Sequence, residues 1–300
     1  MRIAVIGGGS IGLLFSYYFS VGEERPVVYV RRQEQAESLN NNGLTLLREG
    51  KSDTVEVRAQ LFQETENIEA DLVVIAVKQY DLTGMTELIH HRISREAKLL
   101  FVQNGMGHVK LMDTLPQSQV YVGIVEHGAL KDGENRVKHT GVGTTKLAAF
   151  RGELETTSFT WDKLFGQDFP LEFHDDWYRL MAQKLLVNAV INPLTALYRV
   201  ENGALLDKEG FRQNMRRLFD EAFGILNLDS KDRRWENVLE VCQRTASNRS
   251  SMLRDMETGW ITEIDAITGY LLEKAKDGDL SLPYTTFVYD SVKGLEKTPD

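Results

Sequence analysis

The sequence predicts an α/β domain built on a parallel sheet, followed by an all-helical domain. In the first half, short apolar runs alternate with helical patterns, which is typical of a parallel sheet covered by helices on both faces. The strand signals fade after about residue 174, and amphipathic helical patterns take their place. A length of 300 residues suits two domains. We place them at residues 1–174 and 175–300, packed closely with a cleft between them.

The first domain is expected to contain short buried strands separated by helices. The predicted strands are Arg2–Ile6, Val27–Val30, Leu72–Val77, Leu99–Val102 and Val120–Val125. The predicted helices are Ile11–Ser20, Gln33–Asn41 and Leu82–His90. A turn at Asp132-Gly133, between Gly128–Lys131 and Arg136–Lys138, predicts an added β-hairpin.

The second domain is expected to begin with a long helix. Asp175 or Asp176 can cap a helix that starts at Trp177. Four further amphipathic helices are predicted at Glu209–Leu226, Trp235–Thr245, Ile264–Ala275 and Tyr284–Leu295.

Composition restricts the classes of partner. The chain is 42% hydrophobic and 26% charged, as in an ordinary globular protein, and its net charge of −9 argues against a general binder of nucleic acid or anionic membranes. The single cysteine, Cys242, excludes an intrachain disulfide and a multi-cysteine metal site. We find no signal-peptide pattern and no apolar run near the ~18 residues of a membrane span. We therefore expect a cytoplasmic protein with small-molecule partners.

A glycine-rich turn predicts dinucleotide binding. The stretch AVIGGGSIG contains Gly7-x-Gly9-x-x-Gly12 directly after a strand and at the start of a helix. In this context Gly7 permits the tight turn, Gly9 lets a pyrophosphate approach the backbone, and Gly12 lets the helix pack on the strand. The expected cofactor-binding residues are Gly7, Gly8, Gly9, Ser10, Ile11 and Gly12.

Two arginines favour NADP(H) over NAD(H). The second strand ends in Arg31-Arg32, where NAD-preferring sites usually carry an acidic residue for the ribose hydroxyl. A guanidinium suits a 2′-phosphate, and no carboxylate stands at this strand end to repel it. The alternative is a pair of exposed surface arginines.

Two more polar residues follow predicted strands. Lys78 comes just after the third strand and Asn104 just after the fourth, and ligands bind outside the carboxyl ends of such strands. Either residue can contact the cofactor or the substrate. Either can equally be a simple turn residue, since Asn-Gly is a common turn pair.

An otherwise apolar helix carries a polar stripe. In QKLLVNAVINPLTALY, residues 183–198, Lys184, Asn188 and Asn192 recur at steps of four and so share one face. One interpretation is a substrate site. The other is a solvated stripe from which Lys184 extends to water.

A second polar cluster lies downstream. Asn248 and Ser251 are three residues apart and are predicted to share a helical face, and Glu263 follows twelve residues after Ser251. In one continuous helix that separation is about 18 Å. If both serve one small substrate, the helix must break, and Thr258-Gly259 is where a break costs least.

Structural roles are the alternatives for this cluster. Glu263 can be a surface carboxylate next to the capping pattern Thr262-x-x-Asp265, and Ser250 and Ser251 can be helix caps.

The motifs as a set resemble the ketopantoate reductases (2-dehydropantoate 2-reductases), and most of all their Bacillus-type members. The resemblance covers essentially the full chain. It is most specific in the KxxxNxxxN and SSM…E segments. The motifs that follow the order and spacing of the family are GGGSIG, AVK, QNGMG, GIVEHGA, KLLVNAVINPLTAL, NRSSMLRD and TEID.

This resemblance implies a Rossmann domain followed by a helical domain like that of 6-phosphogluconate dehydrogenase. It implies reduction of ketopantoate to (R)-pantoate with NADPH, on the route to pantothenate and coenzyme A, without a metal. Lys184 then matches the general acid and Glu263 the residue that binds and orients substrate. Substrate contacts are implied for Asn104, Asn188, Asn192, Asn248 and Ser251, and positions around the cofactor and the reacting centre for Arg31, Lys78 and Asn104.

Two segments depart from the family pattern. GIVEHGA stands where some relatives carry a threonine-rich stretch, and Gln79-Tyr80-Asp81, directly after Lys78, also varies. Relatives occur as monomers and as dimers, so a homodimer is one of two outcomes. The rival functions are a reductase of another branched 2-keto acid and a non-catalytic NADP(H)-sensing protein.

Overall fold

The computed structural model describes residues 1–22, 24–154, 161–165 and 168–296. The chain divides into two compact units, of which the first comprises Met1–Gln103 and Lys110–Leu180 and the second Asn104–Val109 and Met181–Asp300. The division falls inside a helix, and it assigns six residues of the first half to the second unit. Neither feature is visible in the sequence.

An eight-stranded sheet is the frame of the first unit. All five predicted strands are present within two residues of their expected ends. The strands of this sheet and of the second sheet described below are, in chain order, β1 (Ile3–Ile6), β2 (Val27–Val30), β3 (Leu44–Arg48), β4 (Lys51–Val55), β5 (Arg58–Leu61), β6 (Leu72–Ile75), β7 (Lys98–Phe101), β8 (Val120–Val125), β9 (Gly128–Lys131), β10 (Arg136–Gly141), β11 (Thr145–Arg151) and β12 (Leu171–His174).

The order in this sheet is β12-β11-β8-β7-β6-β1-β2-β5. Its pairs are parallel except β8 with β11, as expected for a doubly wound sheet with an antiparallel addition. The parallel arrangement brings the carboxyl ends of β1, β2 and β6 to one edge, where the glycine turn, the arginines and Lys78 follow.

A second sheet of four strands, in the order β4-β3-β10-β9, was not predicted as a whole. Its β9–β10 hairpin is confirmed. Strands β3 and β4 were both missed. Strand β4, KSDTV, is exposed along most of its length and lacks the apolar alternation that marks a strand.

The helices of the first half cover the sheet. They are α1 (Ser10–Val21), α2 (Gln33–Asn42), α3 (Gln79–Leu82), α4 (Thr86–Arg92), α5 (Val109–Thr114) and α6 (Trp161–Phe165). The predicted helix Leu82–His90 is interrupted by a 3-10 turn at Thr83–Met85. Gly84 in that turn disfavours a continuous α-helix.

The second unit is helical, as predicted. Asp176 caps its long first helix by accepting a hydrogen bond from the Arg179 backbone N–H at 2.9 Å. The helices are α7 (Trp177–Tyr198), α8 (Ala204–Asp207), α9 (Glu209–Leu226), α10 (Lys231–Arg244), α11 (Ser251–Thr258), α12 (Tyr270–Asp277) and α13 (Pro283–Leu295), with a π-helical turn at Asp265–Gly269 before α12.

The expectation that no segment approaches a membrane span needs correction for α7. By length and composition this helix is apolar enough to cross a bilayer, and 72% of its most apolar window is buried inside the protein. Burial of that kind is typical of the core helix of a globular unit.

Candidate active site

The glycine turn between β1 and α1 is shaped by close backbone contacts. Gly7 adopts φ +119°, and a Cβ there would lie 2.8 Å from the carbonyl carbon of Ala76. A Cβ on Gly12 would lie 1.8 Å from the Gly7 carbonyl oxygen. Only glycine fits at these two positions, so the sequence-based reasons given for them agree with the geometry.

Gly9 differs, because a Cβ there would meet no atom within 4 Å. It is exposed and directly precedes α1, whose first turn, Ser10 and Ile11, presents backbone amides at a helix N-terminus. Open space next to these amides is what a pyrophosphate needs in order to approach the backbone. The residues present therefore fit a dinucleotide.

A buried glutamine, which the sequence reasoning missed, holds this turn. The Gln35 side chain donates to the Gly8 carbonyl oxygen at 2.8 Å and to the Glu134 carbonyl oxygen at 3.0 Å. It thereby connects the glycine turn to the β9–β10 hairpin. A single polar residue on α2 carries no local signal for such a role.

The two arginines after β2 have carboxylate partners. Arg31 forms an ion pair with Asp81 at 3.0 Å, and Arg32 pairs with Glu134, which also binds Lys131 at 3.2 Å. Both arginines are exposed. The expectation that no carboxylate stands near them holds along the strand but not in space, because Asp81 and Glu134 come from distant segments.

Paired arginines still form an electropositive group. Hydrogen bonds from Arg32 and Lys131 hold the pKa of the Glu134 carboxyl below its usual value, against the effect of burial. In these ion pairs two carboxylates are bound by three cations, which leaves one positive charge in excess.

Lys78 follows β6 as predicted. It is half-buried, and its Nζ lies 5.8 Å from the centre of the Tyr80 ring. The end of this strand is held by Gln103, which was not predicted and which donates to the carbonyl oxygens of Ile75 at 2.8 Å and Val77 at 3.0 Å.

In the second unit, the polar stripe of α7 lies on a face of the helix that is partly open. Lys184, Val187 and Asn188 are half-buried, whereas Asn192 is buried at 7% exposure. A solvated stripe would leave all three polar side chains exposed. The structure therefore favours an enclosed polar face over the solvated one.

A buried hydroxyl pair joins α7 to the start of α11. The Thr195 hydroxyl donates to the Ser250 Oγ at 2.7 Å, and that Oγ accepts the Leu253 N–H at 3.1 Å. Ser250 is thus a helix cap, as the structural alternative held. The contact ties the α7 segment that carries Asn192 to the helix that begins at Ser251.

The expected shared helical face of Asn248 and Ser251 is wrong. Asn248 lies ahead of α11 in irregular structure, where its carbonyl oxygen accepts the Asn202 N–H at 3.0 Å. Both residues are exposed. The break expected at Thr258-Gly259 is confirmed, since α11 ends at Thr258 and Gly259 adopts φ +75°.

The structure brings Asn104 and Glu263 together. The Asn104 amide donates to Glu263 Oε2 at 3.1 Å, although 159 residues separate them. Gly105 allows this approach, because it has φ +75° and a Cβ there would lie 2.2 Å from the Ala266 carbonyl oxygen. The Asn-Gly pair is therefore both a turn and a means of holding an amide against a carboxylate.

Within the described residues, no group of three or more His, Cys, Asp or Glu side chains is arranged to hold a metal ion. The candidate residues of the second unit offer an ammonium, amides, a hydroxyl and one carboxylate. This set suits binding and proton transfer to a small polar molecule.

Comparison with known proteins assigns the chain to a family. The model of ketopantoate reductase PanE/ApbA matches residues 3–152, and that of its C-terminal part matches residues 176–296. The chain belongs to the ketopantoate reductase family. Its predicted resemblance and its fold class, an α/β domain followed by a helical one, are confirmed.

Ketopantoate reductase relatives match the chain from end to end. It is 43% identical to the 2-dehydropantoate 2-reductase of Bacillus subtilis strain 168, with 99% of this chain and 98% of the relative covered. The Listeria monocytogenes enzyme of the same name is 35% identical, over 100% and 98%. A crystal structure of the probable B. subtilis enzyme aligns with TM-score 0.87 and 41% identity, over 99% and 100%.

Proposed function

We propose that this protein reduces 2-dehydropantoate (ketopantoate) to (R)-pantoate with NADPH, on the route to pantothenate and coenzyme A. The observation that carries the proposal is the 43% identity to a 2-dehydropantoate 2-reductase over 99% of the chain. The ammonium, amides and carboxylate expected for this reaction lie in the second unit.

The first unit supplies the dinucleotide site. Gly7–Gly12 and the α1 N-terminus bind the pyrophosphate, and Arg31 and Arg32 bind the 2′-phosphate in exchange for Asp81 and Glu134. Lys78 contacts the cofactor. Asn104, which belongs to the second unit, is proposed for substrate and cofactor binding. The dinucleotide, when bound, supplies the hydride.

Lys184 supplies the proton. Addition of a hydride to the 2-keto carbon turns the carbonyl oxygen into an alkoxide, which must be protonated to give the 2-hydroxy acid. The Lys184 ammonium stabilises the developing charge and donates that proton, and the neutral amine then recovers a proton from water. Asn188 and Asn192 on the same helix face bind substrate oxygens without adding charge.

Glu263 recognises the substrate hydroxyl. Ionised 2-dehydropantoate offers a carboxylate, a keto oxygen and one hydroxyl, and only the hydroxyl can donate to a carboxylate. Asn104, by donating to Oε2 at 3.1 Å, orients Glu263 for that contact. Ser251, the first amides of α11 and Asn248 bind the substrate carboxylate.

The test is NADPH consumption by the purified protein with 2-dehydropantoate, with 2-ketoisovalerate and without substrate. 2-Ketoisovalerate is the comparison substrate, since it lacks the hydroxymethyl group whose hydroxyl Glu263 is proposed to bind. We expect rapid oxidation that strongly prefers 2-dehydropantoate, because a site built to bond a hydroxyl rejects analogues without it. Preference for 2-ketoisovalerate would indicate the rival reductase, and NADPH binding without oxidation of either would indicate a sensing protein.

The proposed setting follows from this function. We propose a soluble, cytoplasmic enzyme whose partners are the keto acid and NADP(H), with no nucleic-acid or membrane partner and no metal. The homodimer stays a prediction that sedimentation velocity can decide.

A further inference from the structure

The residue before Glu263 is held by a carboxylate near the end of the described chain. Thr262 is 1% exposed, and its backbone N–H and its hydroxyl donate to the same oxygen, Oε1 of Glu296, at 2.9 and 2.6 Å. Glu296 directly follows α13, and its side chain is 9% exposed. One buried carboxylate thus binds both donors of Thr262.

The same end of α13 also binds Asp265, which lies two positions after Glu263. Lys293 binds Glu296 Oε2 at 2.9 Å and Asp265 Oδ2 at 3.1 Å. Tyr289 donates to Asp265 Oδ1 at 2.7 Å. Glu263 therefore lies between two residues, Thr262 and Asp265, that are both fixed to one helix.

The neighbouring helix has backbone hydrogen bonds of its own at its start. The Glu263 carbonyl oxygen already accepts the N–H groups of Ala266 at 3.1 Å and Ile267 at 3.2 Å, which begins the π-helical turn. The Thr262 hydroxyl also accepts the Ile264 N–H, over a longer distance of 3.3 Å. The interaction with Glu296 instead fixes the backbone from which the Glu263 side chain extends.

We propose that Glu296 is a positioning residue for substrate recognition, which acts by holding Thr262 and thereby orients Glu263 toward the substrate hydroxyl. The proposal rests on the proposed role of Glu263. A carboxylate that accepts one hydroxyl must be held in a narrow range of orientations, and an interaction that orients it improves substrate binding without touching substrate.

The first test compares Glu296→Ala with Glu296→Gln. Glutamine keeps the Oε1 acceptor for both donors of Thr262, whereas alanine removes it. We expect Glu296→Ala to raise KM for 2-dehydropantoate about tenfold, the effect of losing one orienting hydrogen-bond interaction. KM for NADPH should stay unchanged, and Glu296→Gln should restore most of the loss. Asp290→Asn, an exposed carboxylate on the same helix, is the matched control and should have no effect.

A double-mutant cycle with Glu263→Gln separates positioning from general stability. If Glu296 acts through Glu263, adding Glu296→Ala to Glu263→Gln should change KM little further, because the contact it orients is already lost. Binding of pantoate in the presence of NADP+, measured by calorimetry, gives the same cycle if turnover of Glu263→Gln is too slow.

Several results would overturn the positioning role. These are additive effects in the cycle, a KM that Glu296→Ala leaves unchanged, or a Glu296→Gln variant no better than alanine at equal melting temperature. If Glu296→Ala does not fold, Thr262→Val takes its place in the test. This variant keeps the backbone N–H and removes only the hydroxyl, so it should raise KM by a smaller factor. A wild-type protein that does not turn over the keto acid would instead overturn the proposed function.

Discussion

The two candidate sites are specified in different ways. The dinucleotide turn is contiguous, and six residues from Gly7 to Gly12 contain its whole backbone geometry. The proposed substrate residues, called the substrate cluster below, come from four separate segments, and the contact between Asn104 and Glu263 joins two of them across 159 residues. A site made by backbone sterics can be recognised from spacing alone, whereas one made by side-chain contacts across the chain depends on the fold.

Substitutions in the two candidate sites should have different effects. A substitution in the dinucleotide turn changes backbone space and hence cofactor binding, while a substitution in the substrate cluster changes chemistry and leaves the cofactor bound. The predictions below use this difference, from the largest expected effect to the smallest.

Lys184→Ala should lower kcat by about 10²–10⁴-fold, the usual contribution of a general acid. NADPH binding, followed by its fluorescence, should be unchanged, since Lys184 belongs to the substrate cluster. Gln183→Ala, at the neighbouring half-buried position, is the control and should retain most activity. A Lys184→Ala variant with near-normal kcat would remove this residue from the mechanism.

Acid should destabilise the protein through His108, a fully buried residue of the second unit. Burial lowers its pKa from 6.5 to about 4. Between these values the unfolded chain binds more protons than the folded one, so stability falls as pH falls from about 6.5 to about 4. Once the pH is below both pKa values, the free energy of unfolding has fallen by about 3 kcal/mol.

The measurement is urea unfolding between pH 7 and pH 4. His108→Gln should reduce the pH dependence, whereas His91→Gln, at an exposed position, should not. The same slope in wild type and His108→Gln would show that other groups cause it. His139 adds to the effect in the first unit, because burial and the nearby Arg48 charge lower its pKa.

Gly9→Ala and Gly12→Ala should separate cofactor binding from folding. The methyl group at Gly9 meets no atom within 4 Å, so melting temperature should be unchanged while NADPH affinity falls about tenfold or more, because the methyl enters the space for pyrophosphate. At Gly12 the methyl collides with the Gly7 carbonyl, so melting temperature should drop. Equal NADPH affinity in Gly9→Ala and wild type would contradict the pyrophosphate assignment.

Substitutions in the ion pairs of Arg31 and Arg32 should have the smallest effects, and these should appear in the preference for NADPH over NADH. Arg31→Ala with Arg32→Ala should narrow the preference for NADPH over NADH by about tenfold, the value of one or two charge-assisted bonds. Glu134→Gln should strengthen NADPH binding a few-fold, because Arg32 and Lys131 then lose a competing partner. The ratio of kcat/KM values for the two cofactors measures both, and an unchanged ratio in the double variant would defeat the assignment to the 2′-phosphate.

Most of the fold could be predicted from periodicity. The five apolar strands and the helix Glu209–Leu226 were found because each buries residues at a regular spacing. Strands β4 and β5 were not, since they are short and carry few apolar side chains.

The helices and turns that carry the candidate residues were predictable, but the contacts of those residues were not. Spacing placed Lys184 and Asn188 on one face and placed the helix break at Gly259. No local pattern could show that Asp81 and Glu134 would meet the arginines, or that Asn248 would lie outside a helix. The fold determines which distant segments meet, and so it determines these contacts.

The loop Asn104–Val109, which belongs to the second unit, limits how the two halves can be exchanged. The Met106 N–H donates to the Ala266 carbonyl oxygen at 3.1 Å, and Gly105 packs against the same residue. A fragment or chimera whose junction lies at Met181 would leave this loop behind and with it the amide that orients Glu263. A functional hybrid between two relatives must therefore transplant the loop together with the helical half, as two pieces of gene.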